Sequence, residues 1–313
     1  MKRLFLLVAL SLFSLSITAQ PVGYADKILG RWDVTVQGSD GVSFPSWFEI
    51  QHRTETSIMA RVVGHFGSMR YATEATYKDG QLTIKVPKQY ERQPDVLVFA
   101  GKLEGDKLVG TVQDETGATV NWTAVRAPEM RRTTKPVWGK AIKLFNGKDL
   151  SGWKPRNNNH PNCWSVENGL LTNKTPCADL ISEQKFTDFK LHVEFQNVKN
   201  GNSGIYLRGR YEVQINDAYG QAADSLRMGG VYGFLRPTAN ASKPPGEWQT
   251  FDITLIGRRV TVVLNGQTII ENEEIPGITG GALDSNEGEP GPIMLQGDHT
   301  KVTFRDITIT PAK

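Results

Sequence analysis

The chain of 313 residues has only two cysteines, no long apolar run after its first nineteen residues, and no excess of charge of either sign. Each shortage excludes something. Two cysteines, Cys163 and Cys177, cannot build a Cys-rich zinc module, and neither sits in a Cys–His setting suited to a thiol nucleophile. Without a second apolar run, no later segment can cross a bilayer as a helix. The balance of 36 Lys+Arg against 33 Asp+Glu offers no field to collect nucleic acid or an anionic membrane. Sustained helical periodicity is missing, as are zinc, EF-hand and phosphate-loop motifs, so no nucleotide cofactor is expected. The glycine-rich stretches read as turns.

The first nineteen residues read as a secretory signal peptide. Lys2 and Arg3 precede an apolar run over Leu4–Leu15, and Ile17-Thr18-Ala19 closes it before Gln20. Its apolar length is short for a membrane span, and no cysteine near the cleavage point invites a lipid anchor. The expectation is therefore export to the periplasm as a soluble mature protein. Loss of Lys2 and Arg3 leaves 34 basic against 33 acidic side chains, a net charge of +1. Export permits a Cys163–Cys177 disulfide, whose loop is worth roughly 3 kcal/mol in the chain-entropy view. Spacing alone leaves a bridge and two separate thiols both open.

About 290 residues after cleavage suit two domains. Both are expected to be β, because Gly and Asp-Gly turns punctuate alternating apolar stretches throughout. The first runs over Tyr24–Arg126. Trp32, Val34 and Val36 alternate with polar neighbours, and hairpin turns at Asp79-Gly80, Gly105-Asp106 and Thr116-Gly117 follow. Consecutive hairpins close most simply as a small up-and-down barrel or meander. Gly30-Arg31-Trp32 with the late Arg126 resembles the lipocalin pattern, in which an arginine stacks on the indole; a plain core tryptophan is the alternative. Ala127–Lys140, with two prolines and several basic residues, reads as a solvated linker. Ala141–Pro311 carries many strands with long excursions between some of them, as a jelly-roll sandwich does.

One segment of that second domain stands out, Asn202–Gly220. Ile205 and Leu207 share one side of a strand, and Val213 and Ile215 repeat it after the bend at Arg208-Gly209-Arg210. The opposite side then carries Tyr206, Arg208, Glu212 and Gln214. A phenol, a guanidinium, a carboxylate and an amide together suit a concave sheet holding a polyhydroxylated ligand. A plain solvated sheet face is the simpler alternative.

The blocks LFNGKDLSGW, GNSGIYLRGRYEVQINDAYG, PPGEWQTFDI, VTVVLNGQTI, GPIMLQGDH and VTFRDITI together resemble the 3-keto-disaccharide hydrolase domain family. The resemblance covers Ala141–Pro311 in the family's order and leaves Tyr24–Arg126 outside. It implies a concanavalin-like jelly roll acting on glycosides oxidised at C3, by hydrolysis or by elimination, in some members with a divalent metal ion. Where the family often has Gln-x-His, this chain has Gln296-Gly297-Asp298-His299, one residue longer.

A 3-keto group acidifies the proton at C2, so cleavage needs a base there, positive charge or donors at the C3 oxygen, and help for the leaving group. Paired carboxylates at glycosidase spacing are not required. On this reading Glu212 is the base or a metal ligand, with an Arg208–Glu212 ion pair as its structural alternative. Arg208 would hold the keto oxygen through its donor fork. Asn202 and Gln214 would orient hydroxyls, while Tyr206 and Trp248 would lie against the sugar ring. Glu194 is a candidate second carboxylate, on a strand that could neighbour Asn202–Arg208. His192, two residues before it, could share a metal with it. His299 is a candidate acid, base or ligand. His160 reads as a loop residue, and His52 and His65 as structural. The non-catalytic alternative is a carbohydrate-binding sandwich with an accessory barrel.

Overall fold

The computed structural model describes residues 23, 25–92, 94–156, 161–173 and 177–313. The signal-peptide reading of residues 1–19, the domain start at Tyr24 and the loop reading of His160 fall outside the described residues. Every regular element described is a strand.

Nine strands form the first sheet. They are β1 (Gly30–Gln37), β2 (Ser43–Thr54), β3 (Ser57–Val63), β4 (Arg70–Tyr71) and β5 (Glu74–Lys78). After them come β6 (Gln81–Pro87), β7 (Val96–Glu104), β8 (Lys107–Gln113) and β9 (Thr119–Arg126). Apart from β4 and β5, consecutive strands pair and β9 returns to β1, in the order β4-β3-β2-β1-β9-β8-β7-β6-β5. β4 and β5 are one bent stave. Between them Ala72 N–H donates to the Ala60 carbonyl on the β3 side (2.9 Å), and Thr73 N–H to the Lys85 carbonyl on the β6 side (2.8 Å). The ring thereby closes as an up-and-down barrel. Its interior is packed with Trp32, Phe48, Phe99, Trp122 and branched aliphatic side chains, all buried. The lipocalin-like contact is present: the Arg126 guanidinium lies 4.2 Å from the Trp32 ring centroid and also bonds the Leu29 and Lys27 carbonyls.

Two further sheets form a sandwich. The larger contains β10 (Ile142–Lys143), β12 (Ser165–Glu167), β13 (Leu170–Thr172), β15 (Phe189–Asn197), β18 (Gln249–Ile256), β19 (Arg259–Leu264), β20 (Gln267–Glu274) and β22 (Val302–Pro311). The smaller contains β11 (Trp153–Pro155), β14 (Leu180–Phe186), β16 (Asn202–Leu207), β17 (Tyr211–Asn216) and β21 (Gly291–Leu295), ordered β11-β14-β21-β16-β17. Alternation assigns the faces. Leu191, Val193 and Phe195 of the larger sheet meet Ile205, Leu207, Val213, Ile215 and Leu295 of the smaller in one core. This is an all-β jelly-roll sandwich preceded by a small barrel. Cys163 and Cys177 are disulfide-bonded, with Cα atoms 5.6 Å apart.

The segment between the two, 127–140, is half-buried to exposed along its length and is tied to the sandwich at two points. Arg132 pairs with the buried Asp188 at 2.7 Å, and Trp138 bridges to Ala312. The barrel also packs directly on the sandwich. Trp47 of β2 belongs to the sandwich core and meets Phe234 edge-on at 5.5 Å, and Arg31 pairs with Glu274.

Arg126→Ala removes a stacked cation and two carbonyl caps at the barrel's closure. The expected loss is about 1–2 kcal/mol of stability, measured as a lower denaturation midpoint. An unchanged midpoint contradicts the closure role.

Candidate active site

β16 and β17 are joined by the three-residue turn Arg208-Gly209-Arg210, in which Arg208 (φ 54°) and Gly209 (φ 66°) both adopt the left-handed conformation. Tight hairpins use that geometry because its twist matches the strands'. The register that follows puts Tyr206 opposite Glu212, Gly204 opposite Gln214 and Asn202 opposite Asn216. Directly opposed residues share a face. With Ile205, Leu207, Val213 and Ile215 in the core, the outer face of the small sheet carries Asn202, Tyr206, Glu212 and Gln214 together.

Arg208 does not join them, which corrects its expected place beside Glu212. The turn conformation breaks strand alternation and sends the guanidinium over the sheet end to the core side. There it is 0 % exposed and donates to the Gly257 carbonyl (2.8 Å) and the Tyr211 hydroxyl (3.1 Å). The Arg208–Glu212 ion pair considered from sequence is not formed. Glu287 and Arg258, bonded at 2.6 Å, complete that buried polar group.

Neighbouring strands supply what the hairpin lacks. β21 pairs Leu295 with Ile205, which sets Gln296 beside Gly204; the Gln296 N–H donates to the Gly204 carbonyl at 2.9 Å. Asp179, just before β14, accepts the Gly297 N–H (3.0 Å) and lies 3.3 Å from Arg156. Arg156 in turn donates to the Gly281 (2.8 Å) and Ala282 (3.1 Å) carbonyls. On the other flank Val231 bridges Val213 and the Tyr232 N–H donates to the Glu212 carbonyl (3.0 Å), so Tyr232 stands opposite Glu212 on the same outer face.

Glu212 is the centre of the group. It is 3 % exposed and leans over Gly204, where any Cβ would collide with its Oε1. Its Oε2 is 3.0 Å from the Tyr206 hydroxyl, which is also 2.9 Å from the Gly280 carbonyl. With the Gln214 amide turned so that its nitrogen faces acceptors, it donates to Glu212 Oε1 (3.0 Å) and the Ser203 carbonyl (3.1 Å). Burial pushes the Glu212 carboxyl up to about 8; Tyr206 opposes that shift, and the charges of Asp298 and Asp179 add to it. A neutral Glu212 also resolves the donor count. Tyr206 has one hydroxyl proton for two acceptors, so a protonated Glu212 can donate to Tyr206 while Tyr206 donates to Gly280. Asp179 is raised too, chiefly by burial.

Two acceptors beside this carboxyl, Gln296 Oε1 and Asp298 Oδ1, are shielded from water and have no hydrogen-bond donor. Sugar hydroxyls are donors of the kind such atoms lack. His299 is exposed at the rim, with Nε2 3.7 Å from Asp298 Oδ1.

His192, Glu194 and Trp248 lie elsewhere, a second correction. β15 pairs with β18 and β22, not with β16, so its polar side is the outer face of the large sheet, across the core from Glu212. His192 Nδ1 is 2.7 Å from Asp252, and Glu194 pairs with Arg305, which stacks on Trp248 at 4.3 Å. Burial lowers the His192 pKa, but Asp252, Asp306 and Glu194 raise it further, leaving it above its ordinary value. No three His, Cys, Asp or Glu side chains converge as a metal-ligand set among the described residues. The described residues therefore do not fit a protein-held metal ion, and no step is drawn through one.

The sequence reading missed Arg156, Asp179, Tyr232, Gln296 and Asp298 at this face. Gln296 and Asp298 sit in the GPIMLQGDH block, where the strand's alternation continued past Leu295 would have pointed to Gln296.

Residues 140–310 match the family model of the 3-keto-alpha-glucoside-1,2-lyase-like domain. A 3-keto-disaccharide hydrolase of Bacteroides thetaiotaomicron is 24 % identical over 208 residues, covering 53 % of this chain and 72 % of that protein. Among solved structures, a Parabacteroides distasonis protein provisionally described as a glycosyl hydrolase is 32 % identical. That match covers 59 % of this chain and 96 % of the other, with a TM-score of 0.48. Another from the same organism, described in the same way, is 25 % identical over 55 % of this chain and 98 % of its own, with a TM-score of 0.43.

Gly204→Ala should force the Glu212 carboxyl away from Gln214 and cost about 1–3 kcal/mol by overpacking, read as a lower denaturant midpoint. Adding Glu212→Asp, a shorter acid, should recover part of that loss in a double-mutant cycle. Purely additive effects contradict the contact.

Proposed function

Because the chain belongs to the 3-keto-alpha-glucoside-1,2-lyase-like domain family over residues 140–310, we propose that it is an exported enzyme cleaving the glycosidic bond of 3-keto-glycosides at the Glu212 face. Export rests on the N-terminal sequence pattern alone. The observation that carries the site assignment is the buried Glu212 carboxyl, with a pKa of about 8, set beside acceptors that lack donors. A pKa near working pH suits proton transfer in both directions.

The chemistry follows from the 3-keto group. The Glu212 carboxylate takes the C2 proton, and the C2–H electron pair moves to the C3 oxygen as an enediolate. Its collapse breaks the C1–O bond, and the leaving oxygen takes up a proton. The immediate product is a 1,2-unsaturated 3-keto sugar; addition of water at C1 completes hydrolysis. Arg156 replaces Arg208 as the source of positive charge. Arg156 engages Asp179, Gly281 and Ala282, and its five-donor fork is the group assigned to hold substrate oxygen. Gln296 and Asp298 accept sugar hydroxyls, and Asn202, whose side-chain amide lies 2.9 Å from the turned Gln214 oxygen, orients another.

A carbohydrate-binding sandwich without catalysis is disfavoured by the cost of keeping Glu212 buried away from a compensating cation. Glu212→Gln keeps the shape and removes the base, so turnover of a 3-keto-disaccharide should fall at least a thousandfold with the thermal midpoint retained. In the wild type the protonated acid is inactive as a base. kcat/KM should therefore rise about tenfold per pH unit below 8 and level off above it. A rate that falls through that window, or a Glu212→Gln variant of wild-type activity, defeats the assignment.

A further inference from the structure

The barrel reaches the Glu212 face through three glycines. Gly67 lies against Gly280, whose carbonyl accepts the Tyr206 hydroxyl, and a side chain at Gly280 would strike the Gly67 backbone. A Cβ on Gly233, the residue after Tyr232, would be 2.7 Å from the Ser68 Cβ and 2.9 Å from the Met69 nitrogen. Bare backbone on both sides thus lets the 64–70 segment of the barrel seat directly against the strand that flanks Glu212.

That contact brings one aromatic residue with it. Tyr90, in the loop between β6 and β7, lies against Gly67 and close enough to Tyr232, the residue opposite Glu212, for the two phenols to interact electrostatically. The residue is nevertheless 63 % exposed. The loop is held on both sides of it. The buried Glu91 carboxylate accepts the Gln89 N–H (2.7 Å) and the Tyr90 N–H (3.2 Å), and it receives both terminal nitrogens of Arg70 at 2.6 and 3.1 Å. Gln89 Oε1 accepts the Ser68 N–H at 2.9 Å, and Gly67 stands 3.1 Å from the Tyr90 ring by its Cβ direction. An aromatic face kept in water on a fixed loop has already lost the freedom that binding would otherwise cost, and rings of this kind present an apolar body with a polar tip.

We infer that Tyr90, held by the barrel where Gly67 meets Gly280 beside the Tyr206–Glu212 pair, forms the subsite for the leaving-group sugar ring of a 3-keto-disaccharide. The barrel is then a specificity element, and the family-matched domain alone lacks part of its substrate site. This rests on the proposed cleavage of 3-keto-glycosides.

The test compares kcat/KM for a 3-keto-disaccharide with that for methyl 3-keto-glucoside, which has no second ring, in the full chain. Tyr90→Ala should lower the ratio of the two about tenfold, through KM for the disaccharide. Tyr90→Phe, which keeps the ring, should stay within about threefold of the wild-type ratio. A Tyr90→Ala ratio equal to wild type overturns the subsite while leaving the cleavage reading intact. Wild-type protein that cleaves neither substrate fails that earlier reading instead, and the subsite with it.

Discussion

A carboxyl group kept out of water is the constraint on which the site depends. Glu212 is enclosed by Gly204 beneath it, Tyr206 and Gln214 beside it, and Tyr232 across from it. None of these can be moved alone. The left-handed turn at Arg208-Gly209 sets the register, the register selects which side chains face outward, and the absence of a side chain at Gly204 makes the space. Burial of an ionisable group is unfavourable in its charged form, so the same enclosure that positions Glu212 also raises its pKa into the range where it can exchange protons.

The two halves of the molecule share that task. The sandwich supplies the acid and the acceptors, while the barrel closes over one end through His65, whose carbonyl accepts the Gly281 N–H at 2.9 Å, and through the Gly67–Gly280 contact. His65 itself is stacked between Phe44 and Phe66, and burial, with the nearby Arg156 charge, brings its pKa down to about 4. A neutral imidazole there is packing, in keeping with the structural role expected from sequence. On the core side of the same hairpin, Arg208, Tyr211, Arg258 and Glu287 form a separate polar group that ties the turn to the 257–258 and 287 segments.

Local alternation made much of this legible. The core side of Ile205, Leu207, Val213 and Ile215 and the outward grouping of Tyr206, Glu212 and Gln214 follow from two-residue periodicity and turn residues, which act within a few positions, whereas the Trp32–Arg126 stack is expected only from the resemblance to the lipocalin pattern. The errors have equally physical origins. Arg208 was placed by continuing the alternation through a turn whose backbone no longer alternates. His192 and Glu194 do share a face, but a strand's own sequence does not say which of two sheets it joins. Arg156, Asp179, Tyr232 and Asp298 come to Glu212 from segments tens of residues away, through the order β14-β21-β16-β17 and a strand-like edge at 229–232. Such neighbours are set by tertiary pairing, which no single-segment pattern encodes. The sequence also left Cys163 and Cys177 undecided, and the fold pairs them.

The most direct test is the ionisation of Glu212 itself. In protein labelled with carbon-13 at the glutamate carboxyl carbons, the resonance that disappears in Glu212→Gln can be followed by NMR from acid to alkaline pH. A midpoint near 8 is the predicted result. A midpoint near the ordinary 4.5 would mean the carboxyl is solvated and charged at neutral pH, and the enclosed acid at the centre of this site would not exist.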